Sequence, residues 1–137
     1  MATSLDDILT AIQNGVRAIN ALSNTYANWY SFSKGALFAR SAMATSLTTI
    51  YTVPASVQAV VQDIEICNTA GGSGSFTVYL VPSGGTPSAA NALFSAQTLA
   101  GNTTFQWKGT QILGTGGTIR AFANASTMTI MISGAIG

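Results

Sequence analysis

The chain has 137 residues, near the usual size of one domain with a single hydrophobic core. Only 7% of the residues are charged and the formal net charge is +1, whereas an ordinary soluble domain carries about 25% charged residues. A surface so poor in charge favours coverage by partner chains, although Ser, Thr, Asn and Gln could also keep a monomer soluble. The five cations are dispersed along the chain, which argues against a nucleic-acid partner because no run of them could follow a phosphate backbone.

The sequence is poor in the side chains that catalysis and metal binding use. It contains no histidine, four carboxylates and one cysteine, Cys67. A single cysteine excludes a disulfide within the chain, and the lack of histidine removes the usual ligand sets for zinc. General acid-base and nucleophilic catalysis need paired, positioned titratable groups. We therefore predict a protein that is not an enzyme, with no catalytic residue, no cofactor and no metal site.

The first fifteen residues, MATSLDDILTAIQNG, lack the features of a secretion signal. They contain no basic stretch, and Asp6 and Asp7 stand where such a signal needs an uninterrupted apolar run. No window of about 20 residues is uniformly apolar, so we expect no membrane-spanning segment and no membrane partner. These features predict a product of cytoplasmic synthesis.

Residues 4 to about 30 have the periodicity of an amphipathic helix. Ser4 precedes the apolar pattern as a candidate N-cap, and Asp6 and Asp7 fall in the first turn, where negative charge is favourable. Apolar residues recur at helical spacing at Leu5, Ile8, Leu9, Ile12, Val16, Ile19 and Leu22, with Tyr26 and Trp29 continuing the pattern. We predict a helical arm over residues 1–30 and a separate β domain over residues 31–137.

The apolar stripe of this helix is the predicted interface. In heptad notation, Leu5, Ile12 and Ile19 occupy a positions, while Ile8, Gly15 and Leu22 occupy d positions. The stripe could be covered by the β domain of the same chain, by a copy of itself or by another protein, and the sequence does not decide among these. The residues predicted to form an oligomer or partner interface are Leu5, Ile8, Ile12, Val16, Ile19 and Leu22.

From residue 31 onward, short β-rich segments alternate with Gly, Ser, Asn and Pro. The candidate strands cover residues 36–42, 47–53, 57–67, 75–82, 92–99, 103–108, 118–123 and 127–133. Phe76, Val78 and Leu80 share one strand face, as do Met128, Ile130 and Ile132. Eight short strands with turn residues between them, and no helical crossovers, predict an antiparallel β-sandwich that resembles a jelly roll.

The only close carboxylates outside the helix start are Asp63 and Glu65. They project from the same strand face and could bind a hard cation, but Ile64 and Ile66 alternate with them, so we interpret the acidic face as the solvated side of a strand. Cys67 continues that face by parity and has no histidine to activate it.

Two further patterns are consistent with a structural role. Phe105 and Trp107 lie two residues apart on one strand face, where they could form a platform for a sugar or a base, although core or subunit contact is the preferred interpretation. Asn102-Thr103-Thr104 and Asn124-Ala125-Ser126 match the glycosylation sequon, and we interpret both as chance matches in loops.

A long stretch of the chain resembles a recurrent β domain of tailed-bacteriophage structural proteins. The likeness covers about residues 49–134 and lies in IYTVPASVQAVVQDIEICNTAGGSGSFTVYLVPSGG, in NALFSAQTLAGNTTFQW and in the closing TIMISG. The opening MATSLDDILTAIQNGVRAINAL is also similar to the short helical start of small phage virion proteins. The resemblance is one of strand and turn residues, without catalytic markers.

The resemblance implies a small non-enzymatic virion protein that decorates or cements the capsid, bound to the major capsid protein or to tail proteins. The alternative is a tail or tail-fibre component that presents the sandwich for assembly or for binding a receptor or carbohydrate. In either case we expect a homo-oligomer that resides in the virion after synthesis in the host cytoplasm. A carbohydrate-binding module or a hydrolase remains a third class, through Phe105 and Trp107 and through the acidic pair Asp63 and Glu65.

Overall fold

The helix, α1, runs from Leu5 to Phe32, and Ser4 caps its N-terminus as predicted. The Ser4 hydroxyl accepts a hydrogen bond from the Asp7 backbone N–H at 3.1 Å, and the Ser4 N–H donates to Asp7 Oδ2 at 3.4 Å. This reciprocal pair is a capping box with Asp in the place usually taken by Glu. The negative side chains of Asp6 and Asp7 also lie in the first turn, where they interact favourably with the positive end of the helix dipole.

The computed structural model describes residues 4–32 and 34–137, and side chains for residues 4–22 and 34–137. Two compact units make up the chain, Met1–Ser33 and Lys34–Gly137. The predicted helix positions Tyr26 and Trp29 lie on described helical backbone, but their side chains lie outside the described residues.

The described part of the second unit contains eight strands, which confirms the predicted mainly β fold. They are β1 Lys34–Ala42, β2 Thr48–Thr52, β3 Ala59–Asn68, β4 Gly74–Val81, β5 Ala92–Leu99, β6 Thr103–Leu113, β7 Thr118–Ala123 and β8 Met128–Ile136. A three-residue 3-10 helix, Ala89–Asn91, precedes β5.

The strands form two antiparallel sheets, one in the order β1-β8-β3-β6 and the other in the order β2-β7-β4-β5. Four of the antiparallel pairs are nested along the chain: β4 with β5, β3 with β6, β2 with β7 and β1 with β8. A long hairpin whose arms wind into two facing sheets is the jelly-roll arrangement. The fold is therefore a jelly-roll sandwich, as the strand count and turn pattern predicted.

The core lies between the two sheets and is built from alternating inward side chains. Ile64 and Ile66 on β3 pair in register with Ile132 and Ile130 on β8, and all four are at most 1% exposed. Met128 is also fully buried, which confirms the inward face predicted for β8.

The simple alternation predicted for β4 is interrupted at Thr77. Phe76 and Val78 are fully buried and Leu80 is half-buried against the same core, as predicted. Thr77, expected on the solvent face, is only 4% exposed because the pairing with β5 is irregular there. Its hydroxyl accepts a hydrogen bond from the N–H of Ala96, a residue with a φ of 46°. The strained residue in β5 thus has a polar partner in β4.

The prediction for β6 was wrong at its C-terminal end, because the strand continues beyond residue 108 to Leu113. The register with β3 passes from Asp63 opposite Lys108 to Val61 opposite Gln111, so β6 carries an extra residue. This β-bulge at positions 109–110 breaks the period-two pattern. Strict alternation in the sequence therefore predicts the end of the strand at this point, although the hydrogen bonding between β6 and β3 continues beyond it.

Asn68 at the end of β3 is the most buried polar residue of the described chain, with 1% of its surface exposed. Its Nδ2 donates to the carbonyl oxygens of Gly72 at 2.9 Å and Leu99 at 3.1 Å, and its Oδ1 accepts from the Ala70 N–H at 3.1 Å. The free-energy cost of removing this amide from water is offset, because these hydrogen bonds satisfy both its NH₂ donor and its carbonyl acceptor.

Candidate interaction surfaces

The six predicted interface residues of α1 are all exposed. The exposed fractions are 80% for Leu5, 47% for Ile8, 58% for Ile12, 51% for Val16, 67% for Ile19 and 67% for Leu22. Leu9, which widens the stripe, is 51% exposed. We define these seven side chains as the apolar stripe. Isolated exposed aliphatic residues are ordinary on protein surfaces, whereas a contiguous row marks a contact site.

The acidic pair lies on the outer face of the β1-β8-β3-β6 sheet, opposite polar residues of β6. Asp63 Oδ2 lies 4.0 Å from Lys108 Nζ, and Glu65 Oε1 accepts a hydrogen bond from Gln106 Nε2 at 2.7 Å. Each pair is directly opposite in the β3–β6 register. The arrangement is that of cross-strand surface pairs, which contribute little stability when solvent-exposed.

The same face offers no cluster of metal ligands. Within residues 4–32 and 34–137, no group of three or more His, Cys, Asp or Glu side chains could hold a metal ion. Asp63 Oδ1 is buried and lacks a hydrogen-bond partner among the described atoms. Cys67 is a free, half-buried thiol on this face, with Thr104 and Thr129 as its neighbours in register.

Phe105 and Trp107 lie on the inner face of β6 and pack against the core, which agrees with the preferred interpretation. The ring centroid of Phe105 is 5.2 Å from that of Phe76 and 4.9 Å from that of Phe94, and Trp107 lies 6.3 Å from Phe94. The rings meet at inclinations of 56° to 78°, which are typical of edge-to-face aromatic contacts. This cluster joins the edge strands β5 and β6 of the two sheets. Sequence reasoning missed Phe94 because its contacts depend on how the sheets face each other.

The two sequon asparagines occupy turns and make structural hydrogen bonds. The Asn102 N–H donates to the carbonyl oxygen of Ala70 at 2.8 Å, and Asn102 has a φ of 56°. Asn124 Oδ1 accepts from the Ser75 N–H at 2.9 Å. Asn tolerates positive φ and turn hydrogen bonding better than most residues, which accounts for its presence at these positions.

A groove of about 490 Å³ lies between the start of β5 and the end of β6. Leu80, Asn91, Leu93, Gln111 and Ile112 are among the residues that line it. Ile112 is 66% exposed, and sequence reasoning missed it because the predicted strand ended before it. The groove combines apolar walls with two side-chain amides and has no charged lining residue.

No helix among the described residues is long and apolar enough to cross a membrane. Neither the family models nor the curated proteins yield a match to the chain. Among solved structures, a chain in the structure of the infectious bursal disease virus Gx strain is similar, with a TM-score of 0.34 and 9% sequence identity. The match covers 74% of this chain and 26% of the viral chain, so this protein spans about a quarter of that chain's length.

Proposed function

We propose that the chain is a non-enzymatic structural protein of a bacteriophage virion, which decorates or cements the capsid shell through protein-protein contacts. The observation that carries this proposal is the exposed apolar stripe of α1, whose members are 47% to 80% exposed. A row of aliphatic side chains in contact with water is energetically unfavourable, and the free energy falls when another surface covers it.

The chemistry of the rest of the chain supports an assembly role. Jelly rolls serve viral shells, lectins and cupin enzymes alike, so the fold does not select among these classes. The placement of the titratable groups supports a non-enzymatic role: Asp63 and Glu65 pair with Lys108 and Gln106 on the sheet surface. Cys67 on the same face has no histidine to activate it, because the sequence contains none. The sugar-platform alternative loses support because Phe105 and Trp107 pack inward.

Burial of the stripe could supply the binding energy. Each fully buried aliphatic side chain contributes about 1.5–3 kcal/mol relative to exposure, from which the cost of association must be subtracted. The low charge of the chain, 7% of residues, reduces the desolvation cost of a large contact. A protein bound at many equivalent sites would then stabilise a shell by mass action.

The test is quantitative mass spectrometry of purified particles, which measures copies of this chain relative to the major capsid protein. Decoration or cementing predicts hundreds of copies per particle. A small multiple of three or six would instead support the tail or tail-fibre role, and the absence of the chain from particles would refute a virion function. Particles assembled without the chain should also lose their contents at lower temperature or at higher denaturant concentration if it is a cement.

A further inference from the structure

We propose that the apolar stripe is covered by the same stripe of other copies of this chain, as a parallel bundle of three or more α1 helices. This inference deepens the proposed function by naming the partner of the stripe, and it rests on that function only in taking the stripe to be buried. The stripe is defined by exposed residues of the described helix, and its heptad register, width and charge distribution identify the partner.

The heptad register of the stripe matches that of a second copy of the same helix. Leu5, Ile12 and Ile19 repeat at intervals of seven residues, and Ile8 and Leu22 occupy the intervening d positions with Gly15 between them. Helices with such a repeat pack knobs into holes when they face a helix with the same repeat. A copy of this chain supplies that repeat in full.

The width of the stripe decides how many helices meet. At 100° per residue, the side chains from Leu22 at one edge to Leu9 at the other span about 140° of the helix surface. A two-stranded coiled coil covers only the narrow a/d seam, so a single partner helix would leave part of this wider face in water, whereas two or more neighbouring helices cover it. The first heptad, with Leu5 at a and Ile8 at d, also favours three or four strands, although the third, Ile19 and Leu22, would suit a dimer.

The charges of the arm lie away from the stripe. Between residues 4 and 22, Asp6, Asp7 and Arg17 are the charged residues, and each lies more than about 120° from the centre of the stripe at 100° per residue. The flanking e positions hold Leu9 and Val16, and the g positions hold two alanines. Identical helices therefore meet without like-charge repulsion, and no charge is present that would select an oppositely charged partner.

The length of the helix favours a parallel arrangement. The same register places Tyr26 at an a position and Trp29 at a d position on helical backbone that continues to Phe32. Copies aligned in parallel match this register along the whole helix. In an antiparallel arrangement, residues 5–22 of one helix would lie along residues 22–5 of the other. Positions 26 and 29 would then extend past the first turn of the partner helix and have no heptad position opposite them.

The first measurement is sedimentation equilibrium of the full chain over a range of concentrations. We expect a reversible equilibrium that reaches three or more chains. A species that stays monomeric at all concentrations would overturn the proposal that copies cover the stripe, and an equilibrium that stops at dimers would overturn the bundle size.

Ile12→Asp tests whether the stripe carries the association, with Thr10→Asp on the opposite face of the helix as its matched control. A charge placed in the apolar contact should raise the dissociation constant roughly 100-fold or more, while the control should associate like the parent chain. The milder change Ile12→Gln should act in the same direction without a new charge. Equal association of all variants, with an unchanged β-sheet melting transition, would refute the role of the stripe.

Cysteine cross-linking tests the orientation in a Cys67→Ser background. Leu5→Cys at an a position should form disulfides between chains of a parallel bundle under mild oxidation, because equivalent a positions face one another. Asn14→Cys, on the outer face, should not. Failure of Leu5→Cys to cross-link within a confirmed oligomer would overturn the parallel arrangement.

Failure of this inference and failure of the proposed function give different results. Self-association of the isolated chain combined with absence from particles would refute only the virion role. A monomer that is nevertheless incorporated into particles would refute only the bundle.

Discussion

The side-chain amide of Asn68 joins the two sheets of the sandwich, since its Nδ2 on β3 donates to the carbonyl oxygen of Leu99 at the end of β5, 3.1 Å away. The same nitrogen also lies 2.9 Å from the Gly72 carbonyl oxygen, so one amide holds a loop and the opposite sheet. The Leu99 carbonyl oxygen lies in a buried region and would otherwise need another donor, so this side chain links the turn at Gly72 to the packing of the two sheets.

Asn68→Ala should therefore destabilise the β domain by about 1–3 kcal/mol, because it leaves the buried Leu99 carbonyl group without this donor. The measurement is the free energy of unfolding from chemical denaturation. Gln106→Ala on the exposed outer face is the control and should change stability by about 0.5 kcal/mol or less. Equal stabilities of the two variants would show that the inter-sheet hydrogen bonds contribute nothing.

Gly134→Ala should destabilise the fold by about 1–3 kcal/mol, because the added Cβ would overlap the backbone carbonyl oxygen of Val60 on the neighbouring strand. The backbone must move apart where β8 pairs with β3. Gly114→Ala is the matched control, since nothing lies within 4 Å of its Cβ position. Thermal melting of both variants gives the comparison, and a melting temperature of Gly134→Ala equal to that of the parent would contradict the close approach.

The double change Asp63→Asn with Glu65→Gln should leave folding, oligomerisation and particle incorporation nearly unchanged. The pair with Lys108 is 4.0 Å long and lies at the surface, with side chains 70% exposed for Lys108 and 31% exposed for Asp63, and surface pairs contribute about 0–1 kcal/mol. Particle occupancy and denaturation curves are the measurements. A large loss of occupancy with an intact fold would reveal a cation site or an interface on this face.

A chain that begins at residue 31 should fold without the helical arm. Every residue of the described hydrophobic cluster lies at or after Ala36, so the truncated chain retains that core. Circular dichroism should show a β spectrum and a cooperative melting transition. An unfolded truncated chain at low temperature would mean that the arm contributes to the domain's stability.

Burial raises the pKa of Tyr51 above its ordinary value of 10.0, and its ring centroid lies 4.7 Å from that of Phe38. The folded protein holds the phenol proton more tightly than the unfolded chain does. This contribution to stability is complete below pH 10 and is lost as the pH rises through the folded-state pKa. Tyr51→Phe should remove it, so the stability of the variant should fall less steeply above about pH 10 than that of the parent. Parallel curves would contradict this assignment.

The position and facing of most strands could be predicted from the sequence because both depend on neighbouring residues. The alternation of Met128, Ile130 and Ile132 with Thr129, Met131 and Ser133 predicted which side of β8 is buried, and the glycine-rich segments predicted where the strands end. Where the backbone departs from strict alternation, the local sequence pattern did not predict which residues are buried or where the strand ends. The β6 bulge and the buried Thr77 are two such cases, and both lie at irregularities in strand pairing.

For the candidate interface, the sequence by itself determined the identity of the stripe, since helical spacing alone places Leu5, Ile12 and Ile19 on one side of α1. Only the tertiary structure decided that β1 lies beside β8 and that Phe94 meets Phe105 across the two sheets. The physical reason is one of range. Periodicity is set by residues three or four apart, whereas strand order and burial depend on contacts between segments that are distant in the chain.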